Sequence, residues 1–266
     1  MPFSHTSPRL DGGAHRFSVF GARTTRRAWR RRASDNMVSC IMPTADRARF
    51  VAGSIRMFLA QDYPDKELVI VDDGSSRLDD VIPRESGIRY IRLRCKTTLG
   101  IKRNIACDEA HGDMILHWDD DDWYARWRIG YQAQQLASGD ADICGLERPL
   151  FLDADNLLAW EYRYGGALPW LCGATLGYTK AFWNNHRFSD TNVGEDTRFV
   201  QSAYKARIKA LTDERFFVGR IHSANSSPKV TSDIAWQPLQ FKVVRDVIGD
   251  DWERYFGRDY AKVRFR

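Results

Sequence analysis

Two periodicities alternate along the first half of the chain. Residues 38–42 form a short apolar run that reads as a buried strand, stopped by Pro43. Residues 47–61 then place Phe50, Val51, Ile55, Phe58 and Leu59 at helical spacing, which predicts an amphipathic helix ended by Tyr63 and Pro64. Residues 67–71 read as a second strand, followed by the turn residues Asp72, Asp73, Gly74, Ser75 and Ser76. Residues 88–93 read as a third strand, and 99–110 as a helix closed by His111 and Gly112. Residues 113–118 read as a fourth strand that runs straight into four aspartates. Strand and helix thus alternate over about 80 residues with short connections, which predicts an α/β domain with a mostly parallel, doubly wound sheet.

Sheets of this kind bind ligands beyond the carboxyl ends of their strands. Three polar clusters fall there, at residues 43–47, 72–75 and 119–122, so segments distant in sequence are expected to share one site. The second half is less regular. Residues 124–137 read as a helix, and 142–146 and 150–152 as strands. The glycine-rich stretch 156–178 carries Trp160, Tyr162, Tyr164, Trp170 and Tyr178, rings that can stack on a sugar or fill a core. Residues 195–205 read as a helix and 216–221 as a strand leading to His222. Residues 233–260 read as a terminal amphipathic helix and tail.

Charge changes this picture at one end. The 266-residue chain has a net charge of +5. Residues 1–36 hold eight arginines against Asp11 and Asp35, or +6, which leaves −1 for the remainder. The basicity therefore belongs to a segment that reads as a basic disordered tail, so no specific nucleic-acid partner is expected. No run approaches the roughly 18 apolar residues of a membrane span. The five cysteines are odd in number and lack a C-x-x-C pair, which argues for reduced thiols and a cytoplasmic location. Peripheral contact with the inner face of a membrane would fall to the arginine tail or to residues 233–256.

The candidate chemistry centres on Asp119, Asp120, Asp121 and Asp122. Adjacent carboxylates repel, and a hard divalent cation such as Mn²⁺ or Mg²⁺ relieves the repulsion. Asp119 and Asp121 stand at i and i+2, which places both on one side of an extended segment. The chain has no P-loop and no His-Glu-x-x-His, which disfavours ATP hydrolysis and zinc proteolysis.

Taken in order, these clusters resemble family 2 glycosyltransferases, which have the GT-A fold. Pro43-Thr44 resembles the opening motif, and Val71-Asp72-Asp73-Gly74-Ser75 the second. Leu99-Gly100-Ile101-Lys102-Arg103-Asn104 resembles a Gly-x-x-Arg-Asn helix start, and residues 119–122 an Asp-x-Asp metal motif. Gly194-Glu195-Asp196 resembles a Glu-Asp base motif, and Ile221-His222-Ser223-Ala224-Asn225-Ser226 a late His-x-x-Asn-Ser element. The last departs from the commoner pattern, with Ser223-Ala224 in place of a glycine-containing pair.

The resemblance covers roughly 190 residues and implies roles. Residues 37–124 would be the nucleotide-sugar-binding half, 125–232 the acceptor and catalytic half of the same domain, and 233–266 a C-terminal helix and tail. Pro43, Thr44, Arg47, Asp72, Asp73, Lys102, Arg103, Asp119 and Asp120 would face the donor. Asp119, Asp121, Asp122 and His222 would serve the metal. Asp196, or Glu195 beside it, would be the general base of a single displacement with inversion. A UDP-sugar is the donor expected on family grounds, with a glycan, lipid-linked or other hydroxyl acceptor. Two alternatives are a nucleotidyltransferase of related fold and a non-catalytic nucleotide- or carbohydrate-binding protein. The first usually needs a glycine-rich loop after strand one, which residues 44–50 lack. The second predicts decay at Asp119, Asp121 or Asp196, all of which are present.

Overall fold

The computed structural model describes residues 37–256 apart from 86, 204, 205, 226 and 228. The basic segment 1–36, the end of the C-terminal tail and Ser226 lie outside the described residues. The chain order is β1 (Val38–Thr44), α1 (Ala48–Leu59), β2 (Lys66–Asp72), β3 (Ile88–Arg92), α2 (Leu99–Glu109), β4 (Met114–His117), β5 (Trp123–Tyr124), α3 (Arg128–Ala137), β6 (Ile143–Gly145), β7 (Leu150–Asp153), β8 (Leu158–Tyr162), β9 (Gly177–Thr179), α4 (Lys180–Asn185), α5 (Glu195–Gln201), β10 (Ile208–Ala210), β11 (Phe217–Arg220), β12 (Trp236–Leu239), α6 (Phe241–Ile248) and α7 (Trp252–Tyr255).

Seven strands form the large sheet in the order β10-β6-β9-β4-β1-β2-β3. Its pairings are parallel except at β9, which runs antiparallel to both β4 and β6. Alternation along the strands divides two cores. Val38, Cys40 and Met42 of β1, with Leu68 and Ile70 of β2, join Val51, Ile55 and Phe58 of α1 and Ile129, Ala133 and Leu136 of α3. Ile41, Val69, Val71 and Ile115 face the other way, onto Ala106 and Cys107 of α2, Trp183 of α4 and Phe199 of α5. Burial on both faces is why these strands read as continuous apolar runs.

A second sheet, β12-β8-β7-β11-β5, packs against the first core. Residues 119–122 are the link between the sheets, leaving β4 of the large sheet and entering β5 of the small one.

Four expectations change. β1 continues through Pro43 to Thr44. β4 pairs with β1 only as far as Ile41, so Pro43 lies past the end of that ladder while it keeps its place opposite Val71 of β2. The helix expected over 124–137 begins only at Arg128, because Trp123 and Tyr124 pair with β11. The helix expected from 195 ends at Gln201. Residues 236–239 form a strand rather than the start of the terminal helix. Its Pro238 is tolerated because β12 is an edge, bonded to β8 alone.

Candidate active site

The strand order reverses at β1. β2 and β3 extend the sheet on one side of it, and β4 returns to the other. The carboxyl ends of β1 and β4 therefore flank a crevice, the place where open α/β sheets bind ligands. A cavity of about 450 Å³ lies there. Its lining includes Pro43, Arg47, Arg103, Asp119, Asp120, Asp121, Asp122, Glu195 and Asp196, so it unites nine of the expected site residues.

The aspartate segment is bent, not extended. Strict alternation of side chains fails there, and the neighbours Asp120 and Asp121 converge on Arg47 Nη1, each at 2.8 Å. Thr44 Oγ1 donates to Asp120 at 2.5 Å, tying the end of β1 to the segment after β4. Asp121 also meets His222 Nε2 at 3.0 Å and Asn225 Nδ2 at 3.4 Å. Asp122 accepts from the Arg220 backbone N–H at 2.9 Å. Arg47 reaches the Ala224 carbonyl as well, so the 220–225 segment closes over the aspartates. Phe50 of α1 stacks on the His222 ring with centroids 4.6 Å apart.

Burial, joined by the charge of Asp121, pushes the carboxyls of Asp119, Asp120 and Asp122 above the ordinary carboxylate range. Burial acts on Asp121 too. There the His222 hydrogen bond and the Arg47 charge outweigh it and hold the carboxyl below that range. The cluster carries one stabilised anion among three resisted ones, an arrangement that added positive charge would favour.

Arg103, buried in α2, connects the aspartates to α5. Its guanidinium lies 3.6 Å from Asp119 and 3.3 Å from Glu195. Burial lowers its proton affinity, but Asp119, Glu195 and Asp196 more than restore it, so it stays charged. Glu195, 3% exposed, is pushed up by burial. Asp196 rests on the tight turn Gly173–Thr175. A Cβ built on Gly173 would lie 1.9 Å from its Oδ2, so only glycine leaves room for the carboxylate.

Arg128 pins that turn and the aspartate segment together from below. The side chain is fully buried and no carboxylate pairs with it among the described residues. Nη2 donates to the His117 carbonyl at the end of β4 at 2.6 Å and to the Ala174 carbonyl at 3.2 Å. The guanidinium lies over Tyr124, 4.1 Å from its ring centre, and the Tyr124 hydroxyl accepts from the Asp119 N–H. Sequence reasoning missed Arg128 and Gly173. The one signal was an arginine on the inward face of α3, in line with Gln132 and flanked by Ile129, Ala133 and Leu136.

Five expected residues, Thr44, Asp72, Asp73, Lys102 and His222, sit beside the cavity rather than in its lining. Asp72 is fully buried and accepts from Gly74 N, Tyr90 Oη and Arg92. Asp73 accepts from Lys102 at 2.9 Å and from the Thr97 N–H. Lys102 also donates to the Thr44 carbonyl, so it braces the ends of β1 and β2 and is no solvated surface charge. His222 reaches the site through Asp121.

Among the described residues, no three His, Cys, Asp or Glu side chains form a closed metal cage. Asp119 and Asp121 do present carboxylates to one cavity, and His222 Nε2 lies against the second. Such a set fits a hard ion that takes one or two protein carboxylates and completes its shell from substrate phosphates and water.

The glycosyl transferase family 2 model matches residues 39–202, a span that holds the aspartates, Arg103, Glu195 and Asp196 and stops short of His222. An uncharacterised glycosyltransferase of Haemophilus influenzae is 27% identical over 123 residues, covering 42% of this chain and 49% of that one. The chain thus spans about half the length of that relative. S. aureus TarS in complex with UDP-GlcNAc superposes with a TM-score of 0.59 at 18% identity, over 71% of this chain and 60% of that one. The mannosyltransferase PcManGT of Pyrobaculum calidifontis, in complex with GDP-Man and Mn²⁺, gives 0.56 at 15% identity, over 72% and 59%. These structures share the GT-A fold with this chain. With the family model covering more than half of its length, the chain belongs to glycosyl transferase family 2.

Proposed function

We propose that the chain transfers a sugar from a nucleotide-diphosphate donor to an acceptor hydroxyl in a single displacement with inversion. The observation that carries this reading is Arg103, whose one guanidinium touches both Asp119 of the aspartate segment and Glu195 at the start of the helix that bears Asp196. It brings anion-handling and base chemistry to one cavity wall. Asp119 and Asp121, with His222 behind, would hold Mn²⁺ or Mg²⁺, which supplies positive charge to the leaving diphosphate. Arg47 and Arg103 face the same region and bind anionic oxygens of the donor. Asp196, on the cavity wall, takes the acceptor hydroxyl proton as that oxygen attacks the anomeric carbon. Glu195 is occupied by Arg103, which leaves Asp196 as the better base. Asp72, Asp73 and Lys102 brace the strand ends where the nucleoside would lie.

UDP is the donor base that the TarS likeness favours, and GDP-Man on PcManGT keeps a guanine donor in play. No described helix is long and apolar enough to cross a membrane. The test is thermal stabilisation by UDP, GDP, dTDP, CDP and ADP, each with and without Mn²⁺. The reading expects a metal-dependent shift with one diphosphate, and a flat response to all five would sink it.

A further inference from the structure

The cavity has two chemically distinct walls. One is the charged wall at the ends of β1 and β4. The other is aromatic: Tyr162 of β8 and Trp236 of β12 come from the small sheet, and Trp170 from the connection between β8 and β9. Tyr162 packs on Trp170 and on Trp236 with centroids 5.2 and 5.0 Å apart. Tyr164 stacks on Trp170 at 5.4 Å, with the planes 18° apart.

Within the aromatic stretch, Trp160 and Tyr178 are core residues. Tyr162 and Trp170 are only half-buried, and Tyr164 is 37% exposed. Trp170 therefore stacks on a neighbour and keeps surface in the cavity. Asn225, Lys229 and Asp233 line the same cavity and supply amide, ammonium and carboxylate groups.

We propose that this wall is the acceptor subsite and that it takes a pyranose residue of a glycan; the proposal rests on the transferase reading above. A pyranose offers an apolar face of C–H groups inside a rim of hydroxyls. That matches an aromatic plate inside a rim of hydrogen-bonding groups. The chain's course ties the wall to the reaction. Trp170 stands three residues before Gly173, against which Asp196 packs, and all three line the same cavity, so a sugar on the plate shares that space with the base. A donor nucleobase also stacks on rings, but Tyr162 and Trp236 of the wall belong to the small sheet, whereas Asp72, Asp73 and Lys102 brace the ends of β1 and β2 in the large one.

The test is saturation-transfer NMR on the full chain with the stabilising nucleoside diphosphate and diamagnetic Mg²⁺, irradiating aromatic protons. Cellobiose, maltose, lactose and chitobiose serve as probes. At least one sugar should receive saturation on its ring protons, and Trp170→Leu should cut that sugar's affinity about fivefold, as expected for one lost ring contact. The surface variant Tyr164→Ala, which touches little of the core, should weaken it to a lesser degree. Nucleotide affinity should stay unchanged in both. Unchanged sugar binding in the variants would overturn the proposal. So would parallel loss of nucleotide affinity, which would make the wall a base-stacking site, or no saturation of any sugar while nucleotide binds. A wild-type chain that saturates a sugar yet binds no nucleotide would keep the wall and remove the transferase reading.

Discussion

Asp121 is held by three side chains, from Arg47, His222 and Asn225, and faces the cavity that the donor would enter. Asp121→Ala should lower turnover by at least about 10²-fold, the usual cost of losing a preorganised charge at a leaving group. Initial rates at saturating donor check this. Among the described residues Asp196 makes no hydrogen bond or ion pair to the aspartate segment, and its Oδ1 accepts from the Thr197 N–H. Asp196→Asn should therefore keep nucleotide affinity while transfer is lost, a split that calorimetry and product assays separate. Gly173→Ala is a third probe of the same carboxylate. The added methyl would collide with Asp196 Oδ2, and the turn cannot retreat because Arg128 and Gln132 hold its carbonyls. It should cut turnover by about an order of magnitude or more, as small misplacements of catalytic groups do, with nucleotide affinity intact.

The elements that hold these residues differ in how openly the chain declares them. β1, α1, β2, β3, α2 and β4 carry their own periodicity, and their buried faces are made by near neighbours in the sheet. The small sheet does not. Its strands are two to five residues long and, apart from the β7–β8 hairpin, pair with partners far away in sequence, so little local pattern marks them. The same division runs through the site. The aspartates, Arg103 and Asp196 are chemically conspicuous in the sequence. Gly173 and Arg128 matter only because the fold sets them against Asp196 and the β4 carbonyl.

One element junction makes a stability prediction. At the amino ends of β1 and β2, Glu67 accepts from Ser39 Oγ and from the His111 N–H, both at 2.6 Å. Burial raises the Glu67 carboxyl, but these bonds and the charges of His111 and Arg89 outweigh it and hold it below the ordinary range. A depressed carboxyl stabilises the fold above its unfolded pKa and loses that effect as pH falls through the folded one. Glu67→Gln should thus cost about 1.5–3 kcal/mol at pH 7, the usual range for hydrogen bonds to a charged group. The gap to wild type should shrink toward pH 3, as urea midpoints at both pH values will report.

At the scale of the whole molecule, charge is segregated. Residues 1–36 carry +6 and the remainder −1. Binding to heparin should disappear on deletion of residues 1–36, while the metal-dependent thermal shift with nucleotide stays. Heparin binding that survives the deletion would locate a basic face on the folded body.

β9 carries a consequence for how the protein is made. It lies between β4 and β6 and must bond to both, although β4 leaves the ribosome some sixty residues earlier. A nascent chain that stops short of Gly177 can align β3, β2, β1 and β4, with the aspartates already emerged, but its β4 edge has no neighbour. The turn that seats Asp196 reaches its place only with β9 beside it. Synthesis therefore passes through a stage with an open strand edge and an incomplete cavity, exposed to pairing between nascent chains. Truncated products ending before β9 belong in the aggregated fraction, and slow translation over residues 118–176 lengthens the vulnerable interval.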